Sequence, residues 1–342
     1  MEQEEARDIL RRAWGVRHAL RYLPGPHPAS CGEEELSRVL ARPREWLVSP
    51  KCDGERRGVV FTRTHMVMFD RLLCAEVIPI AWRSRPTPLP LPLAVDAEVV
   101  SGVEGRRTLV MFDLICMHSG GGGETSSMVS CATAKARVKA LADVHDLVAS
   151  SLVPSSPLTP RLLLKPWVYA NTLPDMHAKA WWRGVSRVRP VPQDGLIFMH
   201  ASGRLTNGNQ TDVLKWKPRH TVDCWIFSGG SVWVNDRGVP KPWPFPSLRL
   251  LLHPEVAALP PMDVVPSCLH DIPPGRLFEL EVEAEGALRV LRPRSDKPYA
   301  NDVGVVERTV RHARESPTLE TLLSRLEEGG AKKSRKRERG EE

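Results

Sequence analysis

A lysine close to an Asp-Gly pair raises the question of covalent chemistry. Lys51 lies in the stretch LVSPKCDGER, residues 47–56. A lysine amine that has lost its proton is a nucleophile, and some enzymes use such an amine to form a covalent intermediate. The stretch also fits two strands joined by a tight turn at Asp53 and Gly54, with Lys51 as a solvated edge lysine. Taken alone, this short segment favours the hairpin.

Acidic residues recur at positions where burial is costly. Asp96 and Glu98 alternate in the apolar run AVDAEVV, so both side chains point to the same face of a predicted strand. Buried acids are costly unless positive charges meet them. Asp194 precedes an apolar run in QDGLIF, and Phe112 lies beside Asp113 in LVMFDLI. Each of these residues, considered separately, also fits a strand cap or a core position.

Basic residues supply the complementary charge. Lys215 and Lys217 are two positions apart in DVLKWKP, which predicts two ammonium groups on one face of a strand. A solvated strand face is an equally good interpretation of that pair. Further along the chain, the segment LRPRSDKPYAND carries more charged residues, namely Arg292, Arg294, Asp296 and Lys297.

Composition limits the class of protein. The chain has 342 residues, of which 42% are hydrophobic and 26% charged, as in a globular protein large enough for two domains. The longest apolar runs are short or interrupted by proline, below the roughly 20 residues that a membrane-spanning helix needs. The seven cysteines stand singly with no C-x-x-C pair, which argues against a zinc ribbon and a disulfide framework. A reducing compartment, cytosol or nucleus, is therefore expected.

The pattern changes along the chain. Helical periodicity covers Glu2 to Ala19 and Thr133 to Leu152, and short strand-like runs lie between and after them. After Pro218, five short strands at modest spacing predict a small antiparallel barrel of the OB type. The last residues, 329–342, hold six basic and three acidic side chains and few apolar ones, so we expect a disordered basic tail. Such a tail serves equally well as a nuclear address, a nucleic-acid contact or a solubilising end.

Six segments resemble, in order, the motifs of the covalent nucleotidyltransferase superfamily, which contains mRNA capping guanylyltransferases and ATP-dependent DNA and RNA ligases. KCDGER resembles motif I (K-x-D-G-x-R), VDAEVV motif III, VMFDL motif IIIa, DGLIF motif IV, VLKWKP motif V and RPRSDKPYAN motif VI. DGLIF, LKWKP and the R-x-D-K-x-x-x-N arrangement are similar to the capping branch. Ala97 stands where motif III has glycine, and this departure bears on the placement of the ribose.

The resemblance implies an α+β fold in two domains. Residues 1–218 are expected to form a nucleotidyltransferase domain with antiparallel sheets and flanking helices, which carries motifs I to V. Residues 219–302 are expected to form the OB-type β-barrel with motif VI, and 303–328 a helical segment that packs back on the first domain.

The resemblance also implies a reaction and its residues. Lys51 is expected to attack the α-phosphorus of GTP and to form lysyl-GMP, which then passes to the 5′-diphosphate end of an RNA. Activation of Lys51 requires a neutral amine, which the like charges of Lys215 and Lys217 would favour. The remaining assignments are Arg56 and Glu98 at the ribose, Phe112 and Ile197 around the guanine, Lys215 and Lys217 at the α-phosphate, Arg294 and Lys297 with Asp296 at the leaving phosphates, and Asp194 and Glu98 at Mg²⁺ or Mn²⁺.

Partners follow from the same resemblance. A separate RNA triphosphatase and a cap methyltransferase are expected, because no segment of this chain matches either activity, and RNA polymerase is a further candidate partner. The nucleus is the expected location, or the cytoplasm if the source is a cytoplasmic virus. Two other functions stay open: an ATP-dependent RNA or DNA ligase, and an inactive RNA-binding relative.

Overall fold

The computed structural model describes residues 2–83, 89–101, 107–118, 125–127, 132–178, 192–227, 230–245, 250–251, 256, 259, 272–273, 275–283, 287–295 and 297–338. Its helices are α1 (Glu2–Ala13), α2 (Glu33–Ala41), α3 (Ala134–Ser151), α4 (Leu173–Ala178), α5 (Val303–Glu315) and α6 (Leu319–Glu338). None of the helices in these ranges is long and apolar enough to cross a lipid bilayer.

The strands are β1 (Pro26–Ser30), β2 (Trp46–Cys52), β3 (Glu55–Phe61), β4 (His65–Phe69), β5 (Ala75–Trp82), β6 (Leu93–Ser101), β7 (Arg107–His118), β8 (Thr125–Ser127), β9 (Leu152–Pro154), β10 (Arg161–Leu164), β11 (Val168–Tyr169), β12 (Gln193–His200), β13 (Gly208–Trp216), β14 (His220–Ile226), β15 (Val232–Asp236), β16 (Val239–Pro242), β17 (Leu250–Leu251), β18 (Leu277–Val282) and β19 (Leu288–Pro293).

These elements divide into two units. Residues 1–30, 37–216 and 321–342 form the N-terminal unit, and residues 31–36 and 217–320 form the C-terminal unit. The N-terminal unit contains a five-stranded sheet of order β1-β13-β12-β2-β11 and an eight-stranded sheet of order β10-β7-β6-β3-β4-β5-β9, with β8 paired to β7. The C-terminal unit contains a six-stranded sheet of order β16-β15-β14-β18-β19-β17.

Both faces of the eight-stranded sheet are buried. Val59 and Phe61 of β3 face a core that includes Leu141 of α3, whereas Val60 faces a core that includes Leu10 of α1. Because successive side chains of a strand point to opposite faces, a sheet covered on both sides needs continuous apolar runs. The run Val59-Val60-Phe61 meets that need.

The segment from Lys51 to Arg56 is not a hairpin. β2 pairs with β12 and β11 in the five-stranded sheet, whereas β3 pairs with β6 and β4 in the eight-stranded sheet. Asp53 and Gly54 therefore carry the chain from one sheet to the other. A Cβ atom on Gly54 would lie 2.5 Å from the Val99 carbonyl oxygen. Glycine is required here because the crossing segment runs too close to β6 for any side chain.

The C-terminal unit packs one helix on its sheet. Val306 and Val310 of α5 are buried against a core formed by β14, β15, β18 and β19. All strand pairs in this sheet are antiparallel except the pairing of β17 with β19. The predicted fold class, α+β, is confirmed, and this largely antiparallel sheet fits the predicted OB type.

The helices differ from the predictions at their ends. The first was expected to reach Ala19 but ends at Ala13, because Gly15 adopts a φ of +63° that closes the helix. The expected single segment 303–328 is two helices, since Ser316 and Pro317 interrupt it. The first of them, α5, packs on the sheet of the C-terminal unit and not on the first domain as expected. The expected disorder of 329–342 is wrong at the backbone up to Glu338, because α6 continues past Gly329 and Gly330 into a run of alanine, lysine and arginine with good helix propensity. Residues 339–342 lie outside the described residues.

Replacing Gly54 with alanine should destabilise the N-terminal unit. The added methyl group would collide with the Val99 carbonyl and with Val100 Cγ2, which would be only 2.9 Å away from it. We expect a loss of about 1–3 kcal/mol in the free energy of unfolding. Urea unfolding measures it, with Gly329→Ala as the control, because a Cβ there meets its nearest atom at 3.4 Å. Equal stability of Gly54→Ala and the wild type would contradict the close approach.

Acid should destabilise the C-terminal unit through His220. Burial, together with the charges of His312 and Lys217, lowers the pKa of His220 from 6.5 to about 4. Between these values the unfolded chain binds a proton that the folded chain does not, so stability should fall as the pH drops from 6.5 to about 4. Urea unfolding across this range should show a weaker pH dependence in His220→Gln than in the wild type. The exposed control His27→Gln should keep the wild-type dependence, and an unchanged slope in His220→Gln would refute the assignment.

Candidate active site

Lys51 and Asp194 meet across two neighbouring strands. Lys51 lies on β2, and its Nζ donates to Asp194 Oδ1 on β12 at 2.6 Å. Both side chains are partly exposed, Lys51 at 22% and Asp194 at 28%. The sequence placed both residues at a reaction centre, and the structure brings them together.

A bulge in β12 positions Asp194. Lys51 pairs with Gly195 and Cys52 pairs with Gln193, so Asp194 is an extra residue between two regular pairs. Such a bulge re-aims the side chain of the extra residue. Gly195 follows with a φ of +149°, a conformation that favours glycine. The bulge and the unusual backbone conformation of Gly195 thus explain why an Asp-Gly pair occurs in QDGLIF.

Glu98 lies on the other side of the Asp53-Gly54 crossing. Its Oε1 accepts a hydrogen bond from Gly54 N at 3.1 Å, and it pairs in register with Arg56. Burial raises the pKa of Glu98, while the positive charges of Lys165 and Lys51 oppose that rise. The Glu98 carboxylate therefore interacts electrostatically with Lys51, and its hydrogen bond with Gly54 N holds it against the segment that crosses between the sheets.

The guanidinium of Arg56 donates its hydrogen bonds to acceptors within the protein. Its Nε donates to Asp96 Oδ1 at 2.8 Å, and its Nη2 also reaches Asp96. Nη1 donates to the Pro26 carbonyl at 3.3 Å and Nη2 to the Pro24 carbonyl at 3.2 Å. Asp96 is only 1% exposed. Arg56 therefore neutralises a buried acid and fastens the segment from Pro24 to Pro26, which limits the donors that it can offer a ribose.

Phe112 lies beside Lys165, a lysine that no motif of the sequence marks. The ammonium of Lys165 lies 5.2 Å from the centre of the Phe112 ring and 5.8 Å from that of Trp167. Lys165 is only 5% exposed, and burial lowers its pKa, with the charge of Glu98 among those that oppose this change. A buried ammonium among aromatic rings and the charges of Lys51 and Glu98 belongs to the site.

The position of Phe112 is fixed from its neighbour. Asp113 is bound by Arg137 of α3, with Nε–Oδ1 and Nη2–Oδ2 distances of 2.8 and 3.1 Å. Arg137 also donates to the carbonyls of Ala132 and Gly203 at 2.9 and 3.2 Å. This buried ion pair ties β7 to α3 and to the turn before β13, and so holds Phe112 in place.

Lys215 shares a sheet face with Lys51. Ile197 pairs with Ser49 on one side and with Lys215 on the other. Ser49 and Lys51 are two positions apart on β2, so alternation places Ser49, Lys51, Ile197 and Lys215 on one face of the five-stranded sheet. Lys217 follows the end of β13 and is assigned to the C-terminal unit.

The remaining predicted residues lie in the C-terminal unit. Arg294 Nη1 donates to Asp223 Oδ1 at 2.8 Å, and Lys297 Nζ donates to Asp223 Oδ2. Asn301 fixes the backbone of Asp223 through hydrogen bonds of 2.8 Å at both N and O. Asp296 lies outside the described residues. Arg294 and Lys297 thus form one basic cluster around a buried acid.

Two carboxylates fit a divalent cation. Asp194 and Glu98 offer the oxygen donors that Mg²⁺ and Mn²⁺ prefer, and the charge of Asp194 contributes to the raised pKa of Glu98. In the described part of the chain, no group of three or more His, Cys, Asp or Glu residues is arranged to hold a metal ion. The pair fits an ion that completes its coordination with phosphate oxygens and water.

A comparison with models of known protein families identifies the family of this chain. Residues 3–219 match the family described as the mRNA capping enzyme, catalytic domain. The chain belongs to this family. The match covers both sheets of the N-terminal unit, including Lys51, Glu98, Asp194 and Lys215.

Solved structures of DNA ligases are similar to this chain at low sequence identity. A mycobacterial DNA ligase D complexed with ATP and MES has 15% identity, a TM-score of 0.42 and coverage of 74% of this chain and 90% of that chain. The ATP-dependent DNA ligase from bacteriophage T7, in complex with ATP, has 11% identity, a TM-score of 0.38 and coverage of 78% and 80%.

Lys165 was missed for a physical reason. In the run LLLKPW it follows three leucines and precedes a proline, a pattern typical of the end of an apolar strand. The one available signal was a lysine inside an otherwise apolar run, since such a residue is costly to bury without a purpose.

Arg56→Ala should cost far more stability than Arg57→Ala. Loss of Arg56 leaves Asp96 buried without its partner, for which we expect about 3–5 kcal/mol in the free energy of unfolding. Arg57 pairs with Glu55, which is 60% exposed, so its loss should cost at most about 1 kcal/mol. Urea unfolding of the two variants measures the difference, and similar losses would contradict the role given to Arg56.

Proposed function

We propose that this chain is an mRNA guanylyltransferase that transfers GMP from GTP, through a lysyl-GMP intermediate, to the 5′-diphosphate end of an RNA. The observation that supports it most is the 2.6 Å contact of Asp194 Oδ1 with Lys51 Nζ, since Lys51 begins a K-x-D-G-x-R segment that crosses between two sheets. Membership of the capping-enzyme family supports the same proposal.

In the first step, the neutral amine of Lys51 attacks the α-phosphorus of GTP. The new bond joins Nζ to phosphorus, and the bond from phosphorus to the bridging oxygen of the β-phosphate breaks, which releases pyrophosphate. The amine must lose a proton, and the carboxylate of Asp194 is within hydrogen-bond reach to accept it. Lys215 lies on the same face of the sheet as Lys51 and adds positive charge for the phosphates of GTP.

In the second step, a terminal oxygen of the RNA 5′-diphosphate attacks the same phosphorus. The bond from phosphorus to Nζ breaks, the amine regains a proton, and a 5′-5′ triphosphate bridge forms. Lys215 and Lys217 are proposed to bind the α-phosphate in both steps. A divalent cation held by Asp194 and Glu98 would offset the negative charge of the phosphates.

The nucleoside is proposed to lie between Phe112 and Ile197, with Glu98 at its ribose. Arg56 is proposed to act on the ribose side mainly by shaping the segment from Pro24 to Pro26, since its Nε, Nη1 and Nη2 all donate to protein acceptors. Arg294 and Lys297, with Asp296, are proposed to orient the leaving phosphates for in-line displacement.

The proposal places this chain in the middle of a reaction sequence. A separate triphosphatase must supply the RNA 5′-diphosphate, and a methyltransferase would act on the product. We propose a nuclear location, or a cytoplasmic one for a protein of a cytoplasmic virus.

Labelling with α-³²P nucleotides tests the proposal. With GTP and Mg²⁺ or Mn²⁺, the protein should acquire a label whose bond breaks in acid and survives alkali, as a phosphoramidate does. Lys51→Ala should reduce the label to background, whereas Lys139→Ala, a change of an exposed lysine on α3, should not. A label from ATP in place of GTP would indicate a ligase. RNA binding with neither label would indicate an inactive relative.

A further inference from the structure

One surface of the N-terminal unit combines exposed arginines with exposed apolar side chains. We call Arg17, Arg21, Tyr22, Arg71 and Leu72 the arginine-tyrosine surface. Tyr22 is 64% exposed and Leu72 is 65% exposed, and the three arginines are exposed as well. Neither the chemistry proposed for Lys51 nor the packing of the core uses these side chains.

Two separate segments form this surface. Residues 17–22 follow α1, whereas Arg71 and Leu72 lie in the turn between β4 and β5. Leu23 N donates to the Arg71 carbonyl at 3.0 Å, which joins the two segments. Leu23 and Leu73 are also buried in the same core cluster beneath them. The exposed side chains therefore stand on a common support.

The arginines of this surface make no direct pair with an acid in the described part of the chain. Within the described ranges, no hydrogen bond or ion pair engages the side chains of Arg17, Arg21 or Arg71. The nearby Arg11, in contrast, is paired with Asp8. The one acid of the turn, Asp70, accepts hydrogen bonds from Leu72 N and Cys74 N at 2.9 and 2.8 Å, which holds it to the turn backbone.

The segment after Tyr22 is held rigidly against Arg56. The carbonyls of Pro24 and Pro26 accept from the Arg56 guanidinium, and Gly25 N donates to Asn207 Oδ1 at 3.0 Å. A Cβ atom on Gly25 would lie 1.7 Å from Arg56 Nη2, so the packing is tight. Arg56 in turn pairs in register with Glu98. A continuous set of contacts thus leads from the surface to the candidate active site.

We propose that the arginine-tyrosine surface binds the 5′ segment of the acceptor RNA, beyond the nucleotide that receives GMP. Unpaired guanidinium groups suit the phosphates of a single strand, and an exposed aromatic ring on a rigid support suits a stacked base. Three exposed arginines without a paired carboxylate favour a polyanion over an uncharged protein partner. This inference rests on the proposed function, since it names where that reaction binds its second substrate.

RNA binding and GMP transfer test the inference together. The probe is a 5′-diphosphate RNA of about twelve nucleotides, within the range that single-strand sites cover, and a 5′-diphosphate dinucleotide is the short control. Tyr22→Ala should weaken binding of the long RNA about tenfold, whereas Tyr22→Phe should bind as the wild type does, because it keeps the ring.

Removal of the arginines should weaken the salt dependence of RNA binding. The triple variant Arg17→Gln, Arg21→Gln, Arg71→Gln should reduce the slope of log affinity against log salt by about 2, since each lost phosphate contact on a single strand removes about 0.7. Arg63→Gln, a change of an exposed arginine in the turn between β3 and β4, is the matched control and should leave the slope unchanged.

The two proposals fail in distinguishable ways. All variants should form the lysyl-GMP adduct at the wild-type rate, and the dinucleotide should be capped equally well by each of them. If both Tyr22→Ala and the triple variant bind the long RNA with wild-type affinity and wild-type salt slope, the inference is overturned. An acidic protein would then be the better candidate partner for this surface. Absence of the adduct in the wild type would instead refute the proposed function, while the binding measurements would still decide the RNA surface.

Discussion

The contact between Lys51 and Asp194 depends on a mismatch between two strands. β12 has one residue more than β2 at this point, and the extra residue is the acid that faces the lysine. A few residues later, the chain leaves the five-stranded sheet through Gly54 and enters the eight-stranded sheet. The lysine therefore lies where two sheets converge, so residues from both can reach one substrate.

Buried ion pairs support this junction from behind. Arg56 and Asp96 fasten the start of β3 to β6, and Arg137 and Asp113 fasten β7 to α3. Such pairs add little net stability compared with apolar packing, but the loss of one partner leaves a buried charge uncompensated. Because an uncompensated buried charge is costly, each pair holds its two elements in a fixed arrangement. In-line displacement at phosphorus requires reacting groups that are held in fixed positions.

Much of this site could be predicted from the sequence, because charged residues in apolar strands are few and their order is distinctive. The alternation of residues in strands predicts that Asp96 and Glu98 share a face, and likewise Lys215 and Lys217. The order of the motifs predicts the α+β class. The bulge at Asp194 could not be predicted, because register depends on the partner strand. Lys165 was hidden by the leucines before it, and the tight-turn interpretation of Asp53-Gly54 was wrong because pairing partners lie far away in sequence.

The covalent bond to GMP is proposed to form at the ε-amine of Lys51. The most direct measurement is to digest the GMP-labelled protein in alkaline conditions and to locate the added GMP by mass spectrometry of the peptides. We expect a single modified peptide, with the mass addition at Lys51. Modification at Lys165, Lys215 or Cys52, with Lys51 unmodified, would contradict it.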